Sequence, residues 1–376
     1  MTSSPNASTP TPPTSLPAHT IAIYNHKGGV GKTTVSLNIS VCLAAAGYRV
    51  LLVDIDPQQS STTVLSRTGA SPNLVDVIRK QAVIEDALHE TVVRNLWIIP
   101  STRALTLLET GLDDRVRPNH GLKRYLTFSE DRFDFVVIDC PPAMGLLSLS
   151  ALIAADSVLI PTTSGAFSIQ GVQRTVETVN ALRGGLSPGL VVNGILISLF
   201  EGTRRDQQTI KDLGSQFSGL LYRNRIRFDP EILKAEVKRA PSTLFNRGTH
   251  STQDYIFLAA ELLGRVHRHR RLPDADFSFD TVTRTITDTL ALPEFTSLAV
   301  TPDGDDPLGK ADRDKLSPGG YDALADAEGG RRSHGQVRKW GLAAAIFLAG
   351  MVCGGSLATW LGPDALALPL TAWISP

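Results

Sequence analysis

A chain of 376 residues, 42% hydrophobic and 20% charged, can bury a substantial core as one α/β domain with appendages. Its three cysteines, Cys42, Cys140 and Cys353, lie far apart with no CxxC pair or ligand-spaced histidine, which excludes a disulfide framework and reads as free thiols in a reducing compartment. Lys and Arg (37) balance Asp and Glu (37), and the N-terminus has no basic stretch leading into an apolar run, so it does not read as a secretory signal.

Residues 1–18 are mostly Ser, Thr and Pro. They hold too little apolar surface to offset ordering entropy, and the composition predicts a disordered lead-in. From His19 onward, short apolar runs alternate with helical patterns. The runs are Ile21 to Tyr24, Val50 to Asp56, Leu96 to Pro100, Phe135 to Asp139, Val158 to Pro161 and Leu190 to Ser198. Segments such as Thr33 to Ala46 and Val172 to Leu182 space their apolar residues three and four apart. Near-continuous apolar strands separated by helices predict a mostly parallel sheet with helices on both faces, which binds ligands at the carboxyl ends of its strands.

Between the first run and its helix stands Lys27-Gly28-Gly29-Val30-Gly31-Lys32-Thr33-Thr34. Glycines let backbone N–H groups curl around phosphate oxygens, and the following helix N-terminus adds its dipole. Lys32 is suited to neutralising β- and γ-phosphate charge, and the Thr33 hydroxyl to ligating Mg²⁺. The general phosphate-loop pattern wants glycine at position 26, where this chain has His26, followed by the extra Lys27. A dinucleotide fingerprint fails too, because Thr34 occupies the place of its third glycine.

The string resembles the deviant Walker A motif of the ParA/MinD ATPases, whose first lysine is the signature residue. The resemblance continues through Leu51 to Gln58 (LLVDIDPQ) and through Val136 to Pro142 (VVIDCPP), which is similar to the family's Walker B. It covers roughly 19–265 and is closest to the ParA, Soj-like branch. It implies a P-loop NTPase fold and an ATP homodimer in which Lys27 of each subunit reaches the partner's phosphates. It also implies slow Mg²⁺-dependent hydrolysis stimulated by a ParB-like adaptor, and a role in partitioning or positioning DNA or another cargo. Asp56, by resemblance, orients the attacking water. The strand-end Asp139 is expected to hold Mg²⁺, usually through water, with Asp54 supporting its outer shell.

Charge is unevenly distributed beyond the sheet. Residues 200–271 carry 14 Lys or Arg against 8 Asp or Glu, and residues 272–330 carry 4 against 13. Arg204 and Arg205, in the loop after Ser198, and Lys238 and Arg239 are candidates for nonspecific DNA contact, beside Arg223, Arg225, Arg227 and Lys234. The ParA family binds DNA through basic residues in these two regions. The stretch from Arg223 to Ser242 is longer here than the family's. A solvated charged face is the alternative for the whole set.

After Arg271, which closes the expected ATPase domain of 19–271, residues 272–338 read as an acidic flexible linker. Trp340 to Gly362 then runs for 23 residues without a charge. As a helix it spans roughly 34 Å, against a hydrocarbon core of about 30 Å. Arg331, Arg332, Arg338 and Lys339 precede it, so the positive-inside rule predicts a cytoplasmic ATPase domain, a C-terminal transmembrane helix and a short tail at 363–376. Gly350 and Gly354 have the spacing that lets two such helices pack, and the alternative for the span is a buried C-terminal helix. A membrane-anchored, MinD-like switch without DNA binding is therefore the second functional reading. A tyrosine autokinase is a third, which the lone Tyr321 of the tail disfavours.

Overall fold

The apolar runs become the strands of one sheet because each is buried on both faces and β-branched residues pack well on a pleated surface. In chain order, β1 (His19–Ile23) is followed by α1 (Lys32–Ala45), β2 (Val50–Asp54), α2 (Ser60–Leu65), α3 (Leu74–Ile78), β3 (His89–Glu90) and β4 (Leu96–Ile99). Next come α4 (Leu105–Glu109), α5 (Gly121–Leu126), β5 (Phe135–Asp139), α6 (Leu146–Ala154), β6 (Ser157–Thr162), α7 (Ala166–Arg183) and β7 (Val191–Ile197). The remaining helices are α8 (Arg204–Gln216), α9 (Pro230–Val237), α10 (Ser242–Phe245), α11 (His250–His269) and α12 (Phe279–Ala291).

The computed structural model describes residues 16–66, 71–109, 121–273 and 277–292. The chain divides into two units, Met1–Thr301 and Pro302–Pro376. The second unit, with the apolar run at 340–362 and Cys353, lies outside the described residues, as do 1–15. Among the described residues, no helix is long and apolar enough to cross a membrane.

Strand order is β3-β4-β2-β5-β1-β6-β7. All pairings are parallel except that of β3 with β4, which is antiparallel. β1 lies between β5 and β6, so the chain leaves it toward one side of the sheet and later builds the other. Such a switch point opens a crevice at the strand ends, and the loop carrying the two lysines emerges there.

Alternate residues of each strand feed two cores. Ile21, Ile23, Val50, Leu52 and Val137 pack with α1, α11 and α12, whereas Ala22, Leu51, Val53, Val136 and Ile138 pack with α6 and α7. Helix α1 is buried along nearly its whole length, and its buried Ser36, Asn38 and Ser40 donate to carbonyl oxygens one turn earlier in the helix.

Two expectations change. The two-residue β3 went unread because it is too short for a period to show. More consequentially, part of the segment read as linker is the helix α12. Val282, Ile286 and Leu290 recur every four residues and are buried against α11 and α1, and Ser278 caps the N-terminus through Thr281 N. The exposed face is Thr and Asp, which diluted the apolar signal. The folded body therefore extends past Arg271.

At the sheet end opposite the lysines, His19 is 2% exposed and its Nε2 lies 3.0 Å from Ser157 Oγ. Burial, with Arg270 and His269 nearby, lowers its pKa to about 3. Asp156 Oδ2, 3.8 Å from Nδ1, is half-exposed and already accepts from Thr20 N at 2.8 Å, so it does not offset these effects. A depressed histidine is neutral when folded but takes a proton when unfolded below its ordinary 6.5, so stability is present above 6.5 and is lost as pH falls from there toward 3. Between pH 6.5 and 4 the loss attributable to His19 is about 3 kcal/mol. Urea unfolding of the wild type and His19→Gln checks this: their stability difference should shrink by about that amount over this interval.

Candidate active site

Backbone geometry makes the loop after β1 a cradle. Gly29 (φ 69) and Gly31 (φ 82) adopt left-handed conformations that cost side-chain-bearing residues energy. Gly31 caps α1 without a side-chain acceptor, and the first turn contains no acidic residue, so the helix opens as an anion-accepting end. The Lys32 ammonium donates to the carbonyl oxygens of Lys27 (3.0 Å) and Asn25 (3.3 Å), bending back across the loop it will serve. Burial lowers its pKa despite the opposing influence of Cys140, Asp139 and Asp56.

Lys27 is held within its own chain. Its Nζ donates to Thr163 Oγ1 (3.2 Å) and Ser168 Oγ (3.1 Å), at the end of β6 and the start of α7. Its backbone N–H donates to Asn25 Oδ1 (3.0 Å), and the Asn25 amide donates to Pro161 O (2.7 Å). In the single chain, the signature lysine is therefore moored between the loop and β6.

Asp54 and Asp139 end adjacent strands in direct register. Both are fully buried. Asp139 accepts from Ser36 Oγ (3.0 Å) and Ser61 Oγ (2.7 Å), and the Thr33 side chain also bonds to it. Burial outweighs these donors and raises its pKa to about 6. Asp54 is raised to about 8, by burial first and the Asp139 charge second. Its Oδ1 accepts from Asp56 N (3.0 Å), and its Oδ2 from Thr62 N (2.8 Å) and Thr62 Oγ1 (2.7 Å). Three donors from one loop thus converge on Asp54, so its carboxyl group anchors that loop.

The anchored loop carries Asp56, which is 8% exposed, accepts from Gln58 N (2.9 Å) and is held at its carbonyl by Ser101 Oγ (2.6 Å). Lys27, Lys32, Thr33, Asp56 and Asp139 therefore belong to one cluster at the carboxyl ends of β1, β2 and β5. Asn25, Ser36, Ser61, Thr163 and Ser168 were not singled out by sequence. Only Ser36, one helical turn after Lys32, carried a spacing signal.

The basic candidates separate. Arg204 and Arg205 are exposed and open α8 instead of lying in a loop, because Thr203 and Asp206 form a reciprocal cap. The Arg205 guanidinium covers Gly165, where a Cβ would stand 2.3 Å from its terminal nitrogen. Arg227 is committed to Asp254 by a bidentate pair at 2.7 and 2.9 Å, Arg225 lies over the Phe200 ring at 5.1 Å, and Lys234 pairs with Glu231. Lys238 and Arg239 follow α9, and Arg239 lines a cavity with Thr33 and Thr34 of the phosphate loop.

Comparison with known proteins places this geometry in context. A family model described as an AAA domain matches residues 18–192. The sporulation initiation inhibitor protein Soj of Bacillus subtilis (strain 168) is 34% identical over 245 residues, covering 64% of this chain and 97% of Soj. The chromosome partitioning protein ParA of Caulobacter vibrioides is 33% identical over 256 residues, covering 66% of this chain and 95% of that protein. Among solved structures, the septum site-determining protein MinD of Pyrococcus horikoshii OT3, complexed with Mg-ADP, superposes with a TM-score of 0.58 at 25% identity, covering 67% of this chain and 98% of MinD.

Asp54→Ala tests the anchoring role. It leaves the Asp56 and Thr62 N–H groups and the Thr62 hydroxyl without their acceptor, at a cost of about 3 kcal/mol. A lowered urea midpoint is the expected result, and an unchanged midpoint would mean the loop holds itself.

Proposed function

The chain belongs to the ParA/MinD family of P-loop ATPases, and from that premise we propose that it binds Mg²⁺–ATP as a sandwich homodimer and turns over slowly when an adaptor protein stimulates it. Family membership makes it a partitioning or positioning ATPase; dimer, adaptor and cargo are the proposal's own. The observation that carries it is the convergence of Lys27, Lys32, Asp56 and Asp139 on a loop with two left-handed glycines.

The residues suit the group they would hold. Backbone N–H groups of Gly28, Gly29, Val30, Gly31, Lys32, Thr33 and Thr34 line the phosphate path, and Lys32 leaves its carbonyl partners for phosphate oxygens. Mg²⁺, when bound, would neutralise phosphate charge. Thr33 would offer it a hydroxyl and Asp139 would hold its water ligands, while Ser36 and Ser61 fix the carboxylate rotamer. Asp56 aligns the attacking water from a loop held by Asp54 and Ser101. Lys27, released from Thr163 and Ser168, reaches the partner's phosphates.

Lys27→Ala should keep Mg²⁺–ATP binding and lose dimerisation, with stimulated hydrolysis falling by roughly 100-fold or more. Lys32→Ala should lose binding itself. Sedimentation and steady-state turnover read both, and a Lys27→Ala protein that dimerises and hydrolyses normally would defeat the sandwich arrangement.

Arg204 and Arg205, with Lys238, supply a salt-sensitive surface for duplex DNA of any sequence. Arg204→Ala with Arg205→Ala should weaken ATP-dependent binding to random duplex and lower the slope of log affinity against log salt by about 2. Equal binding by the double variant removes these residues from the surface.

A membrane anchor is supported by the uncharged run from Trp340 to Gly362 alone. A truncation after Arg338 should leave the membrane fraction, and one that sediments with membranes like the full chain would show that the run is not the anchor.

A further inference from the structure

Helix α9 lies within the stretch from Arg223 to Ser242, and its two ends are fixed. Asp229 caps it through Glu231 N (3.0 Å) and holds Ser251 Oγ (2.7 Å) on α11. Beyond its far end, Asn38 Oδ1 on α1 accepts from Ser242 Oγ (3.0 Å), Thr243 N (2.9 Å) and Thr243 Oγ1 (3.0 Å). Between these anchors Ile232 and Ala235 are buried, and Glu236 accepts from the Thr34 hydroxyl at 3.4 Å. The helix is thus strapped across the first two turns of α1, beside the phosphate loop.

Arg239 lies between the two contacts with α1. The helix ends in a paired-bond motif: Arg239 N donates to Glu236 O (3.0 Å) and Ala240 N to Ala235 O (3.0 Å), leaving Arg239 left-handed at φ 52. Glycine is the usual occupant of that position, and an arginine there carries a conformational cost. Arg239 also lines a cavity of about 360 Å³ whose other walls include Thr33, Thr34, Gln58, Ser60 and Glu236. An exposed long cation is therefore kept at a strained position on the wall of a cavity shared with Thr33 and with Gln58 of the Asp56 loop, where the other charged wall residue is Glu236. Backbone strain retained next to a reactive centre is a reason to look for a role.

We propose that Arg239 is a phosphate-sensing residue, its guanidinium pairing with the terminal phosphate of a bound nucleoside triphosphate once Glu236 and Thr34 part. The inference rests on the nucleotide reading above and assigns to α9 a discrimination between triphosphate and diphosphate. Guanidinium is suited to this, because its fork matches the phosphate oxygens and stays charged. The proposal also removes Arg239 from the DNA-contacting set.

The test is calorimetric, with the full chain and two probes, Mg²⁺–AMP-PNP and Mg²⁺–ADP. Arg239→Gly keeps the fold, since it relieves the left-handed arginine, and is expected to raise the melting temperature. It should weaken AMP-PNP about tenfold, the worth of one charge-assisted bond, and leave ADP within twofold. Arg239→Lys should recover part of the AMP-PNP affinity. Unchanged affinities, or an equal loss for both nucleotides, would overturn the role. So would a loss of random-duplex binding with the nucleotide ratio intact, which would return Arg239 to the DNA surface. A wild type that binds neither nucleotide sinks the ATPase reading itself, an outcome distinct from failure of Arg239 alone.

Discussion

The register between β1, β2 and β5 is the constraint on which the site depends. Because Asp54 stands opposite Asp139 and Ile23 is likewise level with Asp139, three strands end at one height. The glycine loop, the Asp56 loop and the Asp139 carboxylate therefore emerge side by side. A shift of one residue in either pairing would turn a carboxylate from one face of the sheet to the other, into an apolar core where its charge could not be satisfied.

That arrangement puts two carboxylates in a buried space, and the structure handles them differently. Asp54 accepts from backbone and side chain of a single loop, so its two oxygens shape Asp56's surroundings. Asp139 is held by hydroxyls of two helices, α1 and α2, whose bonds oppose the upward push of burial on its pKa. Lys32 completes the balance, a buried ammonium whose neighbours include both Asp139 and Asp56. Its present acceptors are carbonyl oxygens, which compete for it less strongly than phosphate would.

The same loop joins the lysines to the rest of the surface. Lys27 touches Thr163 and Ser168, and between them Gly165 donates its N–H to Thr209 while lying under the Arg205 guanidinium. The segment that holds Lys27 is thus the one on which Arg205 of α8 rests. Side chains in contact therefore connect the Lys27 moorings to the start of α8.

Much of this was readable from residue order. Six of the seven strands announce themselves as apolar runs, and the string from Lys27 to Thr34, with the aspartates at strand ends, specified both the sheet type and the phosphate site, since glycine conformation and strand burial are local properties. Other features depend on distant residues meeting. The Thr-rich face of α12 masked three apolar residues whose burial appears only against α1 and α11. The pairing of Arg227 with Asp254 and the cavity that Arg239 shares with Thr33 both join residues far apart in the chain, and the donors that converge on Asp54 come from the loop after it. Chain order sets which groups exist and how far each can reach, while packing decides which partner each one finds.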